Sequence, residues 1–208
     1  GWPIGLTNLA ETGAFTAVAI MMGWLGAIEL AAHGVALQIA ATTFMIQVGI
    51  SNATTIRAGR AYGKHDPEAL KSIGYGALGL SICVASFTTL LFFSQGEVLV
   101  GAFLDKTDPD FDIILKTGVI LLYMAAIFQL ADGIQVIALG ALRGIQDTTI
   151  PMIYAALSYW GLGMVASYVL GFVFNWGGIG VWSGLIIGLA GAGLLMTLRY
   201  FRRLRLLT

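Results

Sequence analysis

The chain has 208 residues, of which 58% are hydrophobic and only 11% charged, and its formal net charge is zero. About a quarter of the residues of a soluble domain are charged, so a soluble fold is excluded and a polytopic, all-α membrane protein is indicated. The neutral balance argues against a nucleic-acid surface, and the single cysteine, Cys83, permits neither an internal disulfide nor a cysteine-based metal site.

Six apolar segments are predicted to span the membrane as helices, at about 3–28, 31–56, 73–95, 113–141, 150–173 and 177–199. The first carries Glu11. It is preceded by neither Met nor a basic signal region, and the chain is expected to be part of a longer polypeptide. The second holds His33 near one end, which reads as a helix-end polar anchor, with a proton carrier as the alternative. Asp66-Pro67-Glu68 follows, an N-cap, a proline at the first helical position and an acid in the first turn, predicting a helix that feeds the third span. Gly74-Tyr75-Gly76-Ala77-Leu78-Gly79 matches GxGxxG literally, but no strand precedes it and no dinucleotide site is predicted. Cys83, in the same span, reads as a small core or lipid-facing residue. The fourth span carries Lys116 near one end and Asp132 inside. Pro151 opens the fifth, where its missing N–H costs little, and Asn175-Trp176-Gly177-Gly178 predicts a short turn before the sixth. Gly180, Gly184 and Gly188 are spaced four apart on one face of the sixth, a pattern that lets helices approach closely.

The connections alternate in charge. Arg57, Arg60, Lys64, Lys71, Arg143, Arg199, Arg202, Arg203 and Arg205 fall on one side, nine of the eleven Lys and Arg. The other side has Lys106 and Lys116 beside Glu29, Glu97, Asp105, Asp108, Asp110 and Asp112. The positive-inside rule places both chain ends in the cytoplasm, and an even number of spans agrees in putting both ends on one side. The basic RYFRRLR stretch beside the last span reads as a lipid-headgroup anchor.

Glu11 and Asp132 are the acids well inside spans. Intramembrane acids face a bundle interior or a watery cavity and mark an ion or substrate path. Counted from the predicted span edges, they lie roughly 12 and 13 Å deep, nearly level, so they can share one site if spans one and four are neighbours. Asn8, Thr12, Gln129 and Gln135 lie within a turn of one acid or the other and are candidate supporting hydrogen-bond partners. The structural alternative is that each acid ties helices together. Met21, Met22, Phe44, Met45, Tyr154, Tyr159 and Trp160 are candidates for lining a drug cavity, with lipid contact or helix packing as the default. Neither a catalytic triad, a zinc motif nor a phosphate loop is recognisable, so no enzyme activity and no cofactor is indicated.

Four segments, GWPIGLTNLAETGAF, GWLGAIELAAHGVALQIA, ATTIRAGRAYGKHD and ADGIQVIALGALRGIQDTTIPM, together resemble the multidrug and toxic compound extrusion (MATE) family, in its bacterial NorM-type branch, over essentially the whole chain. The resemblance implies one lobe, residues 1–208, of a twelve-helix transporter with two pseudo-symmetric halves; this chain looks like the second, and the N-terminal lobe is its missing partner. It further implies a bacterial inner-membrane antiporter that exports cationic or aromatic compounds in exchange for Na⁺ or H⁺. Glu11 and Asp132 match the acids of the family's cation site in this lobe, with no metal implied beyond a possible Na⁺. Gly34 and Gln47 depart from the Gln and Pro of many relatives and Phe44 from the Tyr of some, and these departures bear on drug contacts, ion preference and a helix kink. A homodimeric half-transporter and a non-transporting membrane scaffold remain alternatives.

Overall fold

A computed structural model describes residues 1–205; the last three residues of the expected 1–208 lobe lie outside the described ones. Among the described residues, six helices are long and apolar enough to cross a membrane: α1 (Trp2–Leu25), α2 (Ala27–Gly63), α3 (Pro67–Gly101), α4 (Phe111–Gly144), α5 (Thr149–Val173) and α6 (Gly177–Arg205). They coincide in order with the six predicted spans. Several overrun the predicted edges, because apolar length marks the hydrocarbon layer while a helix continues into the interface.

Two boundaries differ for a local reason. The first helix stops at Leu25 rather than near 28, and the chain turns on Gly26 alone, whose φ of 144° suits a residue without Cβ. The second helix therefore begins at Ala27, and Glu29, expected in a connection, lies in its first turn. The expected N-cap of α3 is present: Asp66 Oδ1 accepts from the Ala69 amide at 2.9 Å. In the α3–α4 connection, Asp105 Oδ1 accepts from the Thr107 amide at 2.9 Å and from its hydroxyl at 2.8 Å. These two bonds hold the Asp105 carboxyl below the usual carboxylate range.

α4 is the central helix and packs against α2, α3 and α6, while α1 and α5 pack on each other beside them. Lipid supplies no hydrophobic force between helices, so close approach and hydroxyl hydrogen bonds must hold the bundle. The α2–α4 contact uses both. Gly140 faces Ser51, and a Cβ on Gly144 would lie 2.7 Å from that of Ala58. Ser51 donates to the Val136 carbonyl at 2.7 Å, and Thr55 to that of Gly140 at 2.9 Å. Gly74, the first glycine of the GxGxxG match, makes room for Tyr200, whose hydroxyl donates to the Leu70 carbonyl at 2.8 Å.

The Gly180, Gly184 and Gly188 stripe lies against Leu170, Ser167 and Gly163 of α5. Along this contact α5 switches twice to π-helical winding, at Leu157–Met164 and Val169–Val173. Gln47 does not break its helix. α2 runs uninterrupted through it, and Gln47 Nε2 instead donates across to the Ser81 carbonyl of α3 at 3.1 Å.

Six alternating spans bring Gly1 and Arg205 to the same end of the bundle, with Arg57, Arg60, Lys64, Lys71 and Arg143; we call this the basic end. Asp147, in the α4–α5 connection there, receives Arg199 Nε at 2.7 Å and Arg203 Nε at 3.1 Å. The acidic end carries the short α1–α2 turn, the α3–α4 connection and the start of α6.

Candidate functional site

Asp132 sits on α4 at 3% exposure, and its Oδ1 has no hydrogen-bond partner within the protein. Glu11 projects from α1 and is half-buried. The two carboxyl groups are near enough for their charges to act on each other, as a shared site requires. The meeting is made by side chains. Arg143 Nη2 at the end of α4 donates to Asn8 Oδ1 on α1 at 3.1 Å, and Phe15 of α1 meets Phe128 of α4 edge to face at 5.9 Å.

Two further residues complete the cluster. Arg143 lies eleven residues after Asp132 (143 − 132), about three turns along the same face, and its charge acts on Glu11. Tyr159, on the π-helical part of α5, is 2% exposed with an unpartnered hydroxyl, and it feels the charges of Glu11, Asp132 and Arg143 together. Sequence reading used Arg143 only for charge asymmetry and Tyr159 only as a cavity candidate. The three-turn spacing was a signal for the arginine; nothing in the sequence brings α5 to this place.

The four supporting candidates separate. Asn8 reaches the cluster through Arg143. Thr12 is exposed, and its carbonyl accepts from the Thr16 hydroxyl at 2.9 Å. Gln129 and Gln135 flank Asp132 one turn to either side, both buried. Gln129 is turned to α2, where Thr43 donates to its Oε1 at 2.5 Å, while Gln135 packs against Gly193 of α6 with both side-chain polar atoms unpartnered.

Among the cavity candidates, Met22 and Tyr159 are fully buried, whereas Met45 and Trp160 are exposed and Met21, Phe44 and Tyr154 lie between. Trp160 Nε1 donates to the Ala10 carbonyl at 3.1 Å and so fastens α5 to α1. His33 corrects its reading as a helix-end polar anchor: it is 2% exposed, packed edge to face on Trp182. Cys83 is exposed on the outer surface of the apolar bundle.

A small cavity of about 10 Å³ opens beside Glu11 and Tyr159, closed by Phe15, Leu185, Gly188 and Leu189; Asp132 is not among its lining residues. Its size suits one water or one small cation. Two carboxylates and one guanidinium sum to a single negative charge, which one proton or one monovalent cation would neutralise. Among the described residues no group of three or more His, Cys, Asp or Glu comes together to hold a metal ion.

Comparison with known proteins agrees with this architecture. The MatE family model matches residues 3–169. A probable multidrug resistance protein NorM of Rhizobium meliloti (strain 1021) is 44% identical over 205 residues, covering 99% of this chain and 44% of the relative. A protein of the same name from Xanthomonas axonopodis pv. citri (strain 306) is 40% identical over 208 residues, 100% of this chain and 44% of its own length. The chain thus spans less than half the length of these curated relatives. Among solved structures, the outward-facing conformation of a multidrug resistance MATE family transporter of the MOP superfamily superposes with a TM-score of 0.89 at 20% identity, covering all of this chain and 46% of that one. An inward-facing conformation of such a transporter gives 0.83 at 22% identity, and covers 47% of that chain. The six-helix bundle is thus a half of a MATE-type fold, and the chain belongs to the MatE family.

Proposed function

We propose that this chain is the second lobe of a bacterial multidrug antiporter, and that Glu11 and Asp132 bind its coupling ion, Na⁺ or H⁺. The observation that carries the reading is Asp132 itself: a buried carboxylate with an unpartnered oxygen, within electrostatic reach of Glu11. An uncompensated charge in a membrane bundle is costly, so occupancy of the pair changes which helix packing is preferred. With the ion absent, Glu11, Asp132 and Arg143 carry one net negative charge; with it bound, they carry none. Neutralisation favours the state in which the cluster is most buried, and so couples ion binding to alternation of the two lobes. Drugs or organic cations occupy the cavity between this lobe and its partner half. The basic end faces the cytoplasm by the positive-inside rule, with the lobe in the inner membrane.

The test is Asp132→Asn in the full-length transporter, reconstituted in liposomes. We expect loss of ion-driven drug export with folding retained, and loss of ion-dependent drug release by at least about fivefold, the lower range of coupling between two sites. Export that kept its ion dependence would refute the reading. A variant that merely folded poorly, with unchanged ion affinity in the folded fraction, would make Asp132 a helix-packing residue.

A further inference from the structure

We propose that His33 is a proton-binding site near the acidic end of the lobe, served by Glu29 and separate from the Glu11–Asp132 pair. It rests on the reading above only for its link to transport. His33 is 2% exposed, and neither Nδ1 nor Nε2 has a hydrogen-bond partner. A neutral imidazole carries one donor and one acceptor, so both needs are unmet. Burial of this kind does nothing for a side chain that merely fills space; an apolar residue of similar shape would pack there without the penalty.

The surroundings supply the rest of a proton path. Glu29 lies one turn outward on the same face of α2, and its Oε2 is buried without a partner. Opposite, on α6, Gly178 and Trp182 repeat the four-residue step. A Cβ on Gly178 would lie 2.7 Å from Glu29 Oε2, and the Trp182 ring meets His33 at 5.6 Å, with its own Nε1 unpartnered. Both helices start at the acidic end and run the same way, so the two pairs keep one register (178 − 29 = 182 − 33 = 149). The carboxylate therefore meets the first turn of α6, where helix N–H groups favour an anion, and the imidazole lies one turn deeper.

The occupant is a proton rather than a metal, since no three-residue ligand group forms here among the described residues. The imidazole takes one proton delivered by water past Glu29 and becomes imidazolium, balanced by the Glu29 carboxylate; release runs the same steps in reverse. The other charged groups on helices packed against α2 lie elsewhere. Glu97 of α3 and Asp112 and Lys116 of α4 are exposed at the acidic rim. Glu68 and Lys71 of α3 and Arg143 of α4 lie at the basic end, and Glu11 and Asp132 form the deeper cluster.

An aromatic column joins the two sites. Trp182 meets Phe128 at 5.7 Å, and Phe128 meets Phe15 at 5.9 Å. Phe128 is one turn from Asp132, and Phe15 one turn from Glu11. A charge appearing at His33 acts on the rings that lie one turn from the two acids, so external pH biases the packing that the coupling ion also biases.

The experiment uses the full-length transporter in lipid nanodiscs and liposomes, unsubstituted and as H33F, E29Q and D132N. Nitrogen-15 histidine spectra are recorded between about pH 3.5 and 9, a window that extends past the ordinary imidazole range on its acid side. We expect one resonance, absent from H33F, that titrates in this range and whose midpoint moves in E29Q. H33F keeps the ring packing on Trp182 and should still export drug, with the dependence of export on external pH weakened on the order of tenfold. A His33 resonance that does not titrate, or an H33F profile that superposes on the parent's, overturns the proposal. Should H33F fold poorly, the titration in the parent and its shift in E29Q decide the matter alone. If D132N keeps ion-coupled export, the antiport reading fails, while the His33 titration is judged on its own spectra.

Discussion

Replacing Gly184 by Ala tests the α5–α6 contact, on which the position of Tyr159 depends. A Cβ at Gly184 would meet the backbone N and Cα of Ser167 as well as its Oγ, all inside any permitted contact. The obstacle is chiefly main chain, so no side-chain rotation relieves it, and the two helices must part. Their neighbours along the stripe resist parting: Gly180 sits against the Leu170 carbonyl, 2.5 Å from a built Cβ, and Gly188 against the Gly163 Cα at 2.8 Å. Forced overpacking costs about 1–3 kcal/mol. Separation also breaks the Ser167 hydroxyl bond to the Val181 carbonyl, 2.9 Å long, an interaction of about 0.6 kcal/mol in membrane helices. The gain in helix preference of Ala over Gly returns about 0.5–1 kcal/mol. The net loss is about 1–3 kcal/mol. Gly79 of α3 is the control, because nothing lies within 4 Å of its built Cβ; there only the gain in helix preference acts, and Gly79→Ala should be neutral or stabilising. Thermal unfolding of the purified full-length variants should separate the two midpoints by a few degrees, on the order of 2–4 °C. Midpoints within about a degree of each other would mean that the helices do not approach as described.

The clamp at the basic end and the turn at the acidic end carry two further expectations. Asp147 holds Arg199 in a two-pronged bond, Nε to Oδ2 at 2.7 Å and Nη2 to Oδ1 at 3.1 Å, with side-chain exposures of 8% and 20%, whereas Arg203 is 51% exposed. Asp147→Asn should therefore destabilise by about 1–2 kcal/mol and speed proteolysis of the α4–α5 connection, while Arg203→Ala costs less than about 1 kcal/mol; equal losses in unfolding experiments would contradict the burial argument. The folded state depresses the Asp105 carboxyl, so its turn is held above the ordinary carboxylate range and released as pH falls through the lowered value. Protection of the Thr107 amide, its exchange rate taken relative to the intrinsic rate at each pH, should fall only on that acid descent, and protection insensitive to acid would remove the assigned bonds.

Fold class was legible because membrane helices announce themselves by apolar length and by the sidedness of Lys and Arg. Asp66, Pro151 and the Gly180–Gly184–Gly188 stripe were legible for a second reason: capping and close approach depend on local spacing. What sequence hid was mostly which faces meet. Gln129 and Gln135 are both within a turn of Asp132, yet one turns to α2 and the other to α6, because successive three-residue steps rotate about 60° backward around a helix. Glu29 was misplaced because a single glycine, Gly26, makes a connection shorter than hydropathy can resolve. His33 was taken for a helix-end polar anchor because its partner, Trp182, comes from the far end of the chain. Asp147 drew no notice among basic neighbours, although those neighbours are what it binds.

The two sides of α4 show what the unpaired atoms mean. Toward α2, most polar groups are matched: Ser51 and Thr55 find the carbonyls of Val136 and Gly140, and Thr43 finds Gln129 Oε1, leaving Gln129 Nε2 and Gln47 Oε1 without partners. Toward α1, α5 and α6, Asp132 Oδ1, both polar atoms of Gln135 and the Tyr159 hydroxyl find none. A buried polar atom left without a partner costs about 1–3 kcal/mol, and the side of α4 that carries Asp132 leaves more of them unmatched than the side toward α2. Unpartnered atoms also occur elsewhere in the bundle, at Glu29, His33 and Trp182 among others, but those at Asp132 and Tyr159 form one group within electrostatic reach of Glu11. Their burial also limits what can satisfy them. A drug, or a side chain of the other lobe, cannot reach an atom without accessible surface unless the lobe itself opens. A proton, a water or a bare monovalent cation can, through the small cavity at Glu11 and Tyr159. On the antiport reading proposed above, the ion would therefore belong inside this lobe and the drug against its outer face.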